Sequence, residues 1–311
     1  MVSFELIILG SSSALPTSKR STSAHLLSIG ERFFLIDCGE GTQSQLRKFR
    51  LSPARINHIF ISHLHGDHVF GLFGLISSMG MMGRNATLHL YGPGAMEEMM
   101  RAHFNFFGDP TFPVQYHKAG DKQIVYEDSK VEVMALLLKH RTETFGYVFK
   151  EKSRLLNINK ARIEEYGLGL ADIKKVKEGE DFTTSAGKLI PNAILTLPPF
   201  RTRSYAYISD SAAKPEIIPY IKDVDLLYHE ATFLSQDAEL AAKTMHSTAA
   251  QAAHMAALAK AGKLLIGHFS TRYKNETSFL NEATEIFEPT IAVNDGDRFT
   301  VEQQRISADE L

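Results

Sequence analysis

His63-Leu64-His65-Gly66-Asp67-His68 places four candidate metal ligands within six residues. Imidazole and carboxylate groups suit zinc or a similar divalent ion, and four of them exceed what one tetrahedral ion needs once distant ligands join. The spacing therefore points to two metals. Ahead of the cluster, Ile59-Phe60-Ile61 reads as a buried strand, so the ligands begin where a strand ends. Titratable side chains are rarely buried in a row unless paired or metallated, which sets a His-rich surface turn well behind a metal site.

A second ion needs ligands from elsewhere, and they recur in one kind of position. His140 follows an apolar run at 131–138, Asp210 follows 204–209, and His268 closes Leu264–Gly267. Each is a metal-binding residue type at the carboxyl end of a strand, where open α/β folds gather their sites. Any one alone reads as a hydrogen-bonded structural residue; together with His63 they form a pattern. The single cysteine, Cys38, excludes an intrachain disulfide, fits a reducing cytoplasm, and makes the site His/Asp-based rather than thiolate-based. His25, His58, His89, His103, His117 and His254 read as packed or surface residues.

The elements that must position these groups alternate along a 311-residue chain of 44% apolar and 23% charged residues, ordinary values for an enzyme. Strands are expected at 4–9, 24–29 and 32–37, the last two joined by a turn at Gly30-Glu31, and then at 58–62, 88–91, 114–117, 123–126 and 131–138. Helices are expected at 42–49, 70–82 and 95–106. After residue 181 the pattern resumes with strands at 204–209, 225–229, 264–268 and 291–294, and helices at 236–243, 248–261 and 276–287. From Gln303 onward the chain is polar and expected to fray. No fixed-period repeat interrupts the pattern, which implies a layered α/β domain. No run reaches the ~18 apolar residues of a membrane span, and Met1–Gly10 reads as a strand, without a secretion signal's basic start and cleavage site. A net charge of −2 gives no global field for nucleic acid, so RNA binding must rest on a local patch.

The chain resembles ribonuclease Z of the metallo-β-lactamase superfamily over nearly its whole length. The likeness lies in FLIDCGEGTQ at 34–43, the HLHGDH cluster, SYAYISDS at 204–211, YHEATF at 228–233, MHSTAAQAA at 245–253 and IGHFSTRY at 266–273. HxHxDH alone indicates only the superfamily, whereas HEATF followed by MHSTAAQAA is far more specific. The resemblance implies an αββα sandwich of two mixed sheets flanked by helices, forming one domain over 1–311 with an inserted flexible arm at 150–181. It implies that His63, His65 and His140 hold one zinc, that Asp67, His68 and His268 hold the other, and that Asp210 bridges them. Manganese also suits such donors. Two ions about 4 Å apart can share a water, lower its pKa and clamp an in-line phosphoryl displacement. Chemistry leaves Asp67 as a ligand, a base that orients the hydroxide, or both; the resemblance makes it the proton acceptor.

Fold analogy does not choose a substrate; residues away from the cluster do. By resemblance Glu230 orients His246, which stabilises the phosphate and protonates the leaving ribose oxygen, a task suited to a His held by a carboxylate. The plainer role for His246 is to cap the helix that begins near Ser247-Thr248. The implied activity is removal of the 3′ trailer from precursor tRNA, leaving a 3′-hydroxyl on the tRNA and a 5′-phosphate on the trailer. The charged stretch at 150–181 occupies the place of the family's tRNA-gripping arm, with Lys150, Lys152, Arg154, Lys174, Lys175 and Lys177 as candidate RNA contacts. Its tip, Tyr166-Gly167-Leu168-Gly169-Leu170-Ala171-Asp172, has glycines but no proline, a departure from the familiar bacterial arm. Lys19 and Arg20, in the loop 11–23, are candidates for the acceptor stem. A cytoplasmic homodimer acting on tRNA, with neither a membrane nor DNA as partner, completes the expectation. The methionines at 79, 81, 82, 96, 99 and 100 fill core gaps or line the dimer surface. Another hydrolase of this fold, or a metal-holding RNA-binding protein without activity, are the alternatives; the HEATF and MHST pair and the arm argue against the first, and the complete ligand set argues against the second.

Overall fold

The structure is a computed structural model and describes residues 3–306; Met1, Val2 and 307–311 lie outside it. Long runs of Ile, Leu, Val and aromatic residues form strands that are buried on both faces, because sheet packs on sheet inside and helices cover each outer side. Two seven-stranded mixed sheets result. The first runs, in spatial order, Arg298–Thr300, Phe4–Gly10, Ala24–Ile29, Arg32–Ile36, Ile56–Phe60, Leu88–Gly92 and Val114–Lys118. The second runs Thr290–Ala292, Lys263–Gly267, Leu226–Glu230, Ser204–Ile208, Phe145–Glu151, Val131–Leu137 and Gln123–Glu127.

Between the sheets lies an aromatic layer in which Phe34 and Phe60 from one side meet Tyr147, Phe149, Tyr205, Tyr207 and Tyr228 from the other. Outside the first sheet, Leu46, Val69, Leu72, Ile76 and Met100 of the helices Thr42–Lys48, Gly66–Met81 and Met96–Phe107 cover Leu9, Leu26, Leu35 and Ile59. Outside the second, the alanine-rich helix Ala249–Ala259 and the helix Thr277–Thr284 cover Ala206, Leu227, Leu264 and Ile266. This is the αββα sandwich that the resemblance implies. No helix among the described residues is long and apolar enough to cross a membrane.

Two elements differ from expectation in ways that bear on the site. The helix expected from residue 70 begins at Gly66, so Asp67 and His68 occupy its first turn and His65 stands extended just before it. Periodicity starts at the first apolar residues and cannot see a turn made of ligands. The unexpected strand Phe145–Glu151 sits centrally in the second sheet, between Ser204–Ile208 and Val131–Leu137. Its short run, FGYVFKE, merges into the charged stretch that follows and loses its signal there.

By their contacts the described residues form two compact units: one of 3–150 with Ser204–Val301, and one of Glu151–Arg203 with 302–306. The second unit therefore extends past residue 181, through short strand pairs at Phe182–Thr183 with Leu189–Ile190 and at Asn157–Ile158 with Thr196–Leu197. Helices Lys160–Tyr166 and Leu170–Lys177 pack around its own small core of Leu168, Val176, Ile190 and Leu195. Buried Glu151 accepts from Arg203 Nε at 2.8 Å and from Arg154 at 2.8 Å. The fraying expected from Gln303 is not seen as far as Ile306. Arg201 N donates to Gln304 O and Ile306 N to Pro199 O, each at 2.9 Å.

Candidate metal centre

The seven proposed ligands come from four strand ends and meet in one place. His63 and His65 follow Ile56–Phe60, Asp67 and His68 open the next helix, His140 follows Val131–Leu137, Asp210 follows Ser204–Ile208, and His268 follows Lys263–Gly267. Ligand atoms of His63, His65, His140 and Asp210 lie within 4.8 Å of one another, as do those of Asp67, His68 and His268. Asp210 stands between the groups, with Oδ2 3.6 Å from His63 Nε2 and Oδ1 3.4 and 3.2 Å from the Nε2 atoms of His68 and His268.

A close approach of backbones sets the helix that carries Asp67 and His68. Cys38 N donates to His68 O at 2.8 Å and Gly71 N to Cys38 O at 2.9 Å. A Cβ on Gly71 would fall 2.1 Å from Gly39 O, and one on Gly39 would fall 2.3 Å from Asp67 O. Only glycine at both positions lets the helix start lie against the strand-end loop.

Two buried carboxylates orient the imidazoles, each holding one directly and one through a hydroxyl. Asp37 Oδ2 accepts from His68 Nδ1 at 2.7 Å and from Ser62 Oγ at 2.8 Å, which leaves Ser62 Oγ to accept from His63 Nδ1 at 3.0 Å. Glu230 accepts from His246 Nδ1 at 2.9 Å and from Thr232 Oγ1 at 2.7 Å, and Thr232 Oγ1 then accepts from His268 Nδ1 at 2.9 Å. His140 Nδ1 donates to Met245 O at 3.0 Å. A ring nitrogen that donates to a fixed acceptor leaves the other with its lone pair free. In His63, His68, His140 and His268 that free nitrogen is Nε2.

The convergence of acceptors is the test of whether a cation fits. His68 Nε2 and His268 Nε2 stand 3.3 Å apart. Asp210 Oδ1 and His140 Nε2 are buried and have no hydrogen-bond partner. Lone pairs that face one another in a desolvated space cost free energy unless a cation lies among them. These residues fit divalent metal.

Electrostatics agree. Burial, together with the charge of His68, pushes the His63 imidazole well below its usual pKa, and burial also lowers His140, so both are neutral and ready to ligate. Burial disfavours the ionised form of Asp210, yet His268 and His68 hold its carboxyl well below the usual range. His68 is raised despite its burial, by Asp210, Asp67 and Asp37.

His246 is not the cap of the following helix. Thr248 fills that place, its hydroxyl accepting from Gln251 N while Gln251 reciprocates to Thr248 N. Against the opposing effect of burial, Glu230 raises His246 to about 9. Glu230 also accepts from Ser247 N and Ser211 N, which fixes it in place. The residues that sequence reasoning missed are Asp37, Ser62 and Thr232. Asp37 had a usable signal, being a carboxylate after the apolar strand Arg32–Ile36, the same position that Asp210 occupies.

Lys19 is exposed in the loop 11–23, whereas the Arg20 guanidinium donates to Ser11 Oγ, Val293 O and Asn294 Oδ1. In the 151–203 unit Lys174 and Lys175 are exposed, Lys177 and Lys152 are half-buried, and exposed Arg154 pairs with Glu151. Lys150, at the end of the other unit, is exposed.

The comparisons with known proteins bear on this geometry. A family model described as anti-Pycsar protein Apyc1 matches residues 4–104. The chain is 44% identical over 304 residues to Ribonuclease Z of Bacteroides thetaiotaomicron, covering 97% of this chain and 96% of that one. Among solved structures it is similar to the short form of human tRNase Z, with TM-score 0.69 and 24% identity over 95% of this chain and 98% of that one. It is also similar to the metallo-β-lactamase fold protein YhfI of Bacillus subtilis, with TM-score 0.71 and 17% identity over 97% and 100% of the two chains.

Proposed function

The chain belongs to the ribonuclease Z family of the metallo-β-lactamase superfamily, and from that premise we infer a metal-dependent endoribonuclease that removes the 3′ trailer from precursor tRNA. The observation that carries the reading is the Glu230–His246 pair beside a double His/Asp cluster. The cluster alone serves any hydrolase of this fold; the pair supplies a proton donor for a poor alkoxide leaving group.

Zinc, two ions per subunit, is the proposed metal, and manganese suits the same donors. His63, His65 and His140 would hold one ion and Asp67, His68 and His268 the other, with Asp210 between them. When bound, the ions supply acidification of water and neutralisation of phosphate charge. Asp67 accepts the proton of the attacking water as oxygen bonds to phosphorus in line with the ribose 3′-oxygen. His246, held at Nδ1 by Glu230, donates from Nε2 to that oxygen as its bond to phosphorus breaks. The tRNA keeps a 3′-hydroxyl and the trailer a 5′-phosphate.

The unit at 151–203 is the proposed tRNA grip, with Lys152, Arg154, Lys174, Lys175 and Lys177, and adjoining Lys150, offering positive charge, and Lys19 is the proposed contact near the acceptor end. A second copy of the chain is the other proposed partner. Phe70, Met81, Met82, Phe106 and Phe107 expose large apolar side chains on the helices Gly66–Met81 and Met96–Phe107 and just past them, the kind of surface a homodimer covers. A tRNA substrate and one buried, unpaired cysteine support a cytoplasmic location. Incubation with a precursor tRNA and with a model phosphodiester, each with and without chelator, tests the activity. Chelator-sensitive release of the trailer is expected; chelator-insensitive cleavage, or cleavage of the model diester alone, overturns the reading.

A further inference from the structure

We propose that Arg20 is a positioning residue. By locking the loop 11–23 it keeps the Ala14 amide on Asp67 and so aims the carboxylate that receives the water's proton. The inference rests on the role given to Asp67 above.

Ala14 stands at φ 57°, and its N–H donates to Asp67 Oδ2 at 2.7 Å. A bond from a backbone amide to an ionised carboxylate is charge-assisted and strongly directional. It fixes the same oxygen that lies 3.4 Å from His268 Nε2. Left-handed backbone is unfavourable for a residue with a Cβ, so Ala14 keeps this conformation only if its surroundings impose it.

The imposition comes from the base of the loop. Arg20 Nη1 reaches Ser11 Oγ and Val293 O, each at 2.6 Å, and Nη2 reaches Asn294 Oδ1 at 2.8 Å. Glu276 lies 3.5 Å from the same guanidinium, which rests over the Phe269 ring at 5.1 Å. Asp295 completes the frame by accepting from Ser11 Oγ and from Ser21 N at 2.8 and 2.6 Å. The loop is thereby tied to the strand end that bears His268, whose N donates to Ser11 O at 2.9 Å. The Arg20 side chain is only 14% exposed, and its fork faces the protein, whereas neighbouring Lys19 faces solvent. This is the geometry of a brace and not of a phosphate grip.

The test compares Arg20→Ala, Arg20→Lys and Asn294→Ala with wild type in the full chain, on precursor tRNA and on bis(p-nitrophenyl) phosphate. Metal content and the salt dependence of precursor binding are measured alongside. Displacing a reacting group by about 1 Å costs roughly 100-fold, so Arg20→Ala is expected to lower kcat on both substrates by about 10- to 100-fold. KM for the precursor, the salt slope and metal content are expected to stay near wild type. Arg20→Lys should not rescue, because an ammonium cannot serve three acceptors set in a planar fork. Asn294→Ala, which removes one acceptor at the surface, should lower kcat a few-fold with the fold intact. A raised precursor KM and flatter salt slope with normal diester turnover would make Arg20 an RNA contact and overturn the proposal. Normal kcat in Asn294→Ala together with metal loss in the Arg20 variants would make the brace merely structural and also overturn it. If wild type hydrolyses the diester but cleaves no precursor, the tRNA reading fails while the diester rates still judge Arg20.

Discussion

At the scale of single residues, the site is arranged as two oriented pairs. Asp37 serves His68 and His63, and Glu230 serves His246 and His268, with Ser62 and Thr232 as intermediaries. Removing such a partner of a ligand lowers metal affinity by about 10- to 100-fold. Asp37→Asn is therefore expected to weaken metal binding by that factor in a competition with a chromophoric chelator, and an unchanged affinity would make Asp37 a packing residue only. His246→Ala is expected to reduce precursor turnover by about 100- to 10,000-fold, the range for a lost general acid, while bound metal stays at the wild-type level. Protonation has a definite sign here. Glu230 holds His246 up at about 9 against burial, so the acid form predominates below that value and is lost as pH rises through it. Cations on the neighbouring ligands would bring the value down from there. The alkaline limb of kcat is expected at or below about 9, and Glu230→Gln is expected to move it lower; a limb that ignores Glu230 would remove His246 from the acid role. The same pairing stabilises the fold fully below the unfolded His value of about 6.5 and ceases to do so above about 9.

At the scale of elements, the strands with continuous apolar runs were legible because burial on both faces leaves no alternative to Ile, Leu, Val and aromatics. So were the positions of the candidate ligands, since a polar residue after such a run stands out. His140, Asp210 and His268 were found this way, and Asp37 was open to the same reasoning. The start of the helix Gly66–Met81 was not legible, because its first turn consists of Gly66, Asp67 and His68, which carry no apolar period. Nor was the strand Phe145–Glu151, whose aromatic residues run straight into charge. Backbone contacts between distant segments lie beyond any pattern in the chain. Gly39 and Gly71 sit 32 positions apart yet touch, and neither carries a local turn that marks it. Gly71→Ala is expected to push the ligand-bearing helix off the strand-end loop and to destabilise the protein by about 1–3 kcal/mol, the usual cost of overpacking. Urea denaturation measures the loss, and metal affinity should fall with it. A variant with unchanged midpoint and affinity would show that the contact is soft.

At the scale of the whole molecule, cutting and gripping are assigned to different residues. Every group proposed for bond cleavage belongs to the unit of 3–150 and Ser204–Val301, and most of the basic residues proposed to hold tRNA belong to Glu151–Arg203. The chain departs and rejoins at paired positions, since Lys150 lies opposite Ser204 in the second sheet. A short turn in place of 151–203 therefore closes two strands that are already neighbours, and the sheet has no reason to change register. The excised unit has its own core in Leu168, Val176, Ile190 and Leu195, so its removal strips no apolar layer from the sandwich cores. Hydrolysis of a small phosphodiester needs the metal ligands and Asp67, all of which remain. Precursor tRNA, by contrast, would lose the proposed phosphate contacts, and with them the counterion release that favours binding. The deletion variant is expected to hydrolyse bis(p-nitrophenyl) phosphate within about threefold of wild type while kcat/KM for precursor tRNA falls by at least 100-fold, a loss of about 2.7 kcal/mol. The slope of log KM against log salt should flatten at the same time. Equal losses on both substrates would place the role of 151–203 in holding the site together, and an unchanged salt slope would move the tRNA grip elsewhere on the molecule.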